Sequence, residues 1–113
     1  MSKGTFTLKL SVRAYDGSSI AVAEDVVDHV VRKHSEMLSL LGLTREDFVK
    51  LLCKILEEPD EVYVDVYDFK YFLKKMDDLH LNVIVGEETV KTAYLISQKT
   101  YFRMRKKRWL RRL

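Results

Sequence analysis

The residues best suited to acid–base chemistry are two histidines five positions apart in "HVVRKHSEM", His29 and His34. An imidazole exchanges a proton close to neutral pH and can act as acid or base after a modest change of surroundings. Zinc-binding helices space their histidines four apart so that both rings reach one ion, whereas a spacing of five turns them away from each other. At about 100° per residue, the apolar positions 23, 26, 27, 30 and 31 gather on one side of a helix with His34 near their centre. His29 falls on the polar flank beside Asp25 and Lys33. His34 is therefore expected to face the core, where a packing role competes with a catalytic one. No clustered cysteine, spaced acidic motif or glycine-rich phosphate loop accompanies the pair, so neither a metal nor a cofactor is expected.

Charge is concentrated at one end. Seven of the 20 basic side chains fall in residues 103 to 113, which carry no acidic one, and the other 102 residues hold 13 basic against 17 acidic groups. Arg103, Arg105, Lys106, Lys107 and Arg108 alternate with Tyr101, Phe102 and Trp109. Cations hold a nucleic-acid backbone and interleaved aromatic rings stack on unpaired bases, so this segment favours RNA over a plain solubility tail. A solvated basic terminus is the competing reading, and a terminal amphipathic helix on anionic lipid is a further one, although the segment is short and its apolar stripe thin.

Around these residues the elements follow from periodicity. "TFTLKLSVR" puts Phe6, Leu8, Leu10 and Val12 on one side of a strand over 5–13. "YDGSS" supplies turn chemistry, and Ser19 is expected to cap a helix from Ile20 to His34. Leu38 to Gly42 reads as a short helical turn. Thr44, with Asp47 three residues on, opens a helix whose Phe48, Leu51, Leu52, Ile55 and Leu56 share one face, and Pro59 ends it. Beyond it, alternating runs predict an antiparallel meander of four strands, about 61–66, 69–75, 79–85 and 89–98. Residues 99–113 would either prolong the last strand or form a terminal helix with Phe102, Trp109 and Leu113 on one stripe. The sum is a single α+β domain over 1–113, an N-terminal strand and two or three helices on a four-stranded sheet, with a basic segment at 100–113. No apolar run approaches the ~20 residues of a membrane span, and the alternating N-terminus predicts a cytoplasmic chain. The lone Cys53, inside "FVKLLCKIL", reads as a small buried hydrophobe.

"HVVRKHSEM" resembles the His-apolar-x-x-x-His-Pro-Glu signature of a phage and mobile-element branch of the barnase, EndoU, colicin and RelE-like ribonuclease superfamily, with Ser35 at the position of the usual proline. "EEPDEVY" is similar to that family's helix end and first sheet strand, "YFLKK" to its aromatic-lysine strand, "LNVIV" to its hydrophobic third strand and "VKTAY" to its Thr-Ala-Tyr strand. The matches keep the family's order over residues 28 to 96 and leave the N-terminal strand and basic tail outside.

The resemblance implies a toxin-type, metal-independent endoribonuclease with N-terminal helices on a four-stranded antiparallel sheet. Such cleavage needs a group to take the ribose 2′-hydroxyl proton, a donor to the leaving oxygen, and cations or donors around the phosphate. His34, with His29 as its rival, would serve as acid or base. Lys74, with Lys70 on the same strand face, would stabilise the phosphate. Thr92 and Tyr94, which share a face by alternation, would contribute hydroxyls. Arg103, Arg105, Lys106, Lys107, Arg108 and Trp109 would hold the RNA, and an antitoxin or immunity protein would neutralise the activity. The alternatives are a non-catalytic nucleic-acid-binding module and an interaction domain that docks an acidic protein through the tail.

Overall fold

The computed structural model describes residues 9–107 and 110–113. It opens with a hairpin of β1 (Lys9–Arg13) and β2 (Ser19–Ala23). The bend between them contains Gly17 at a positive φ of 86°, a conformation that costs glycine little. Asp16 Oδ1 accepts from the Ser18 amide at 3.0 Å and from the Ser18 hydroxyl at 2.6 Å, the local closure expected of an Asx turn. Residues 5–8 of the expected first strand lie outside the described residues.

The helix expected from Ile20 is a correction. Ser19–Ala23 is a strand, with Ile20 and Val22 turned to the core and all five residues paired to β1. Ser19 caps nothing; its hydroxyl meets that of Ser11 at 2.7 Å. The helix α1 runs only over Glu24–Lys33, with acidic residues in its first turn and Arg32 and Lys33 in its last, matching the helix dipole. His34 breaks the helix at φ −121°, ψ 42°, and α2 (Ser35–Leu41) stops at Gly42 in the left-handed region.

α3 (Arg45–Glu57) matches the sequence reading closely. The Thr44 hydroxyl accepts from the Asp47 amide at 3.1 Å, and the Asp47 carboxylate accepts from the Thr44 amide at 3.2 Å. Phe48, Leu52, Ile55 and Leu56 are buried on its inner face. Cys53 is only half-buried, and burial, then the charge of Glu57, pushes its thiol up.

The expected meander is present as β3 (Glu61–Val64), β4 (Lys70–Met76), β5 (Leu79–Gly86) and β6 (Thr89–Ile96), each antiparallel to the next. Among the described residues the sheet is larger than four strands and mixed: seven strands in the order β1-β2-β6-β5-β4-β3-β7, with β2 parallel to β6. That parallel contact is a single pair, Ala21 with Thr89, because the chain then leaves β2 for α1, which packs beside β6. After β6 the tail forms a helix and then a strand, α4 (Gln98–Arg105) and β7 (Leu110–Arg111) on the outer edge of β3. Phe102 lies exposed on α4 and Leu113 lies beyond β7. The apolar stripe expected to join them through Trp109 falls partly outside the described residues.

Register divides the sheet into two unlike faces. Val62, Phe72, Val83 and Ala93 are cross-strand neighbours, and all are buried under α1 and α3 in the main core. The neighbouring rows point the other way because side chains alternate along a strand. One row is Glu61, Leu73, Asn82 and Tyr94, and the next is Tyr63, Tyr71, Ile84 and Thr92. A smaller cluster of Tyr63, Leu73, Ile96 and Met104, flanked by Tyr71, Tyr94 and Tyr101, seats α4 on this second face. Among the described residues no helix is long and apolar enough to cross a membrane.

Candidate functional site

The second face of the sheet is rich in groups that titrate or hydrogen-bond. β3 contributes Glu61 and Tyr63, β4 Tyr71 and Lys75, β5 His80 and Asn82, and β6 Thr92 and Tyr94. α4 lies over one end. Its start is fixed by the Ser97 hydroxyl, which accepts from the Thr100 amide at 3.2 Å, and it turns Tyr101 and Met104 toward the sheet.

Glu61, only 8% exposed, organises that end. Its carboxylate accepts a hydrogen bond from Tyr63 Oη at 2.6 Å and another from Tyr101 Oη. The Arg111 guanidinium stands 3.7 Å away. Burial and the bond to Glu61 raise the Tyr63 phenol, and the same two causes push Tyr101 up to about 12. Arg105 and Arg111 lie over the rings of Tyr101 and Tyr63, each 5.8 Å from the centroid. A buried carboxylate is tolerated only when paired and hydrogen-bonded, and here α4 and β7 bring the partners.

The His80 ring stacks on Tyr101 with centroids 3.8 Å apart and planes 7° apart. Burial lowers its pKa, which favours the neutral ring. His80 Nδ1 and Asn82 Oδ1 are both buried without a hydrogen-bond partner, an uncommon state for polar atoms. Farther along the face, Tyr71 Oη donates to Asp65 Oδ2 at 2.8 Å, and burial and that bond lift the phenol far above its ordinary value.

Of the residues expected from sequence, some converge and some do not. His34 is half-buried rather than central in the core, and its ring centroid is 5.8 Å from that of Tyr94. The two line an open groove of about 480 Å³ with Glu36, Met37, Leu40 and Ser97. His29 is exposed on α1. Thr92 shares the face of Tyr94, as alternation requires. Lys74 does not: it pairs with Leu81, which pairs with Leu95, so it points to the helix-covered side. There its Nζ lies 3.4 Å from the Glu58 carbonyl and 3.5 Å from Asp60 Oδ1. Lys70 is on that same side, lining a separate cavity with Asp68, Glu87 and Glu88. Lys75 is the lysine of β4 on the Tyr94 face. Arg103, Arg105, Lys106 and Lys107 are exposed on α4 and just after it, whereas Arg108 and Trp109 lie outside the described residues.

Glu61, Tyr63, Lys75 and His80 were not singled out by the sequence reading. The available signal was a polar residue at every second position of β3 and β5, Glu61-x-Tyr63 and His80-x-Asn82, a pattern that an ordinary solvent face also produces. Among the described residues no group of three or more histidine, cysteine or acidic side chains is disposed to hold a metal ion. No family model matches the chain, and no curated protein or solved structure matches it.

Proposed function

We propose that this chain acts on RNA as a metal-independent endoribonuclease of toxin type. The observation that carries this reading is the His34 imidazole against Tyr94, at the rim of a polar sheet face that also bears Thr92 and Lys75. His34 takes the 2′-hydroxyl proton of a ribose in the groove. The freed 2′-oxygen attacks the adjacent phosphorus, the bond to the 5′-oxygen breaks as that oxygen takes a proton from water, and His34 returns the proton it took to solvent. The products are a 2′,3′-cyclic phosphate and a 5′-hydroxyl. Tyr94 and Thr92 donate to the phosphate oxygens, and Lys75 takes the electrostatic role that the family resemblance assigned to Lys74. The exposed cations Arg103, Arg105, Lys106 and Lys107 hold the flanking backbone. The substrate is single-stranded or transfer RNA in the cytoplasm, and a neutralising protein would accompany such an activity.

The test is incubation of the protein with a mixed RNA pool in EDTA, with His34→Ala alongside and its fold checked by circular dichroism. Cyclic-phosphate ends from the wild type and none from the variant support the reading; RNA bound but left intact by the wild type refutes it. A second reading, a non-catalytic RNA-binding module on the same fold, is favoured by the engagement of Lys74 with Asp60 and by the cover that α4 gives to part of the polar face.

A further inference from the structure

The sheet ends on one side at β1, and among the described residues no strand lies beyond it. We propose that the outer edge of β1 is a docking site for a partner protein, which adds to the sheet an extended segment of alternating acidic and apolar residues. The site lies at the opposite edge of the sheet from β7 and does not depend on any activity toward RNA.

Hydrogen-bond parity decides which backbone groups this edge offers. The Ala14 amide donates to the Ser18 carbonyl at 2.8 Å, and the Ala21 amide donates at 2.8 Å to the Glu88 carbonyl, on the side away from β1. Opposite residues of an antiparallel ladder either exchange both bonds or turn them outward together. Ser11, the ladder partner of Ala21, therefore turns its amide and carbonyl to the free edge, and by the same alternation so do Lys9 and Arg13. An added strand gains affinity from such groups and specificity from the side chains on its two faces.

The two faces of the edge differ in what they accept. On the helix side, open grooves of about 390 and 290 Å³ meet at Leu10, which is 46% exposed; Val27 and Val49 line the first and Cys53 the second. Apolar side chains two residues apart on an added strand, roughly 7 Å, would fill both and cover Leu10. Glu24 and Glu57 also stand at these grooves, so carboxylates are unwelcome there. By alternation Lys9, Ser11 and Arg13 belong to the other face, although the long basic chains reach the groove rims. Lys9 and Arg13 are exposed and form no ion pair among the described residues. Carboxylates at the facing positions of the incoming strand pair with them across the ladder. The same cations disfavour a second copy of the chain: pairing two β1 edges about Ser11, the register that uses all three outward residues, sets Lys9 of one against Arg13 of the other.

The experiment titrates the intact protein with two synthetic octapeptides, one alternating glutamate with leucine and the other lysine with leucine, and follows the backbone amides by NMR. The glutamate peptide is expected to shift the Lys9, Ser11 and Arg13 amides and slow their exchange, and to bind more tightly than the lysine peptide. Ser11→Pro removes an outward amide and spares the rungs that Leu10 and Val12 make to β2. It is expected to weaken binding about fivefold, the loss of one hydrogen bond. Ser19→Ala, which breaks only the hydroxyl contact with Ser11, should leave binding unchanged. Lys9→Glu combined with Arg13→Glu, both at exposed positions, should reverse the preference between the peptides and decides the case should Ser11→Pro fail to fold. Equal binding of the two peptides, shifts that spare the β1 amides, an unreversed preference in the charge variant, or tighter binding of an unstructured oligouridylate at the same amides overturns the docking edge.

Discussion

Replacing Tyr101 by phenylalanine tests the claim that a buried carboxylate fastens α4 to the sheet. The change deletes one hydroxyl, the donor to Glu61, and leaves the ring that stacks on His80. A hydrogen bond to a charged group contributes about 1.5–3 kcal/mol. Glu61 keeps the Tyr63 hydroxyl and the neighbouring Arg111, so the lower end, about 1.5 kcal/mol, is expected, or roughly 6–12 °C in Tm for a domain near this size. Urea unfolding followed by far-UV circular dichroism at pH 7 measures it, with Tyr67→Phe, whose side chain is 79% exposed, as the neutral control. The same residue makes a second, alkaline prediction. The folded phenol titrates at about 12 against 10.0 for a free one. Between those values the unfolded chain has lost a proton that the folded chain retains, so stability falls as pH rises from 10 to about 12. Tyr63 and Tyr71, also raised, add to that fall, and Tyr101→Phe should make it shallower. A variant as stable as the control, with an unchanged alkaline limb, would mean that Glu61 does not hold the helix.

The depressed pKa of His80 has the opposite sign: below its ordinary value of 6.5 the unfolded imidazole takes up a proton that the folded ring resists. Stability should therefore drop as pH falls beneath about 6.5, and His80→Phe should flatten that slope in urea titrations from pH 7 to 5. The turn between β5 and β6 places Glu87 and Glu88 at positive φ, 52° and 61°, a two-residue hairpin geometry that suits Asn-Gly. Glu87→Asn with Glu88→Gly should raise stability by roughly 1–2 kcal/mol, and a lower urea midpoint would count against the strain. Finally, Lys75→Ala should weaken RNA binding in a filter assay more than Lys74→Ala does, because Lys74 points to the helix side; the reverse order would contradict the register.

The most legible element was α3, because a capping pair, a five-residue apolar stripe and a terminating proline all pointed to the same span. The meander was legible for a similar reason, since β-branched and aromatic residues alternate between short turns. "SIAVA" misled because Ile20, Ala23 and Val27 fit a helical period while Ile20 and Val22 fit an extended one. What decides between them is pairing with β1, a contact no local pattern encodes. His34 comes to lie beside Tyr94, whereas the face of Lys74 was not foreseen. Parity within β4 is visible, since Lys74 lies two residues past the buried Phe72. Parity between β4 and β6 depends on turn lengths and on the bulge at Ile84 and Val85, which shift the frame.

The lone rung joining β2 to β6 has a mechanical implication. Pulled or partly denatured, the β1–β2 hairpin has little ladder to unzip before it parts from the four central strands, and what resists is its share of the main core, the Tyr15 ring against Phe72 and the Tyr15 amide donating to the Leu56 carbonyl. Amide exchange should accordingly divide the molecule into a slow block at β4, β5 and β6 and a faster one at residues 9–23, opening at lower free energy than the whole.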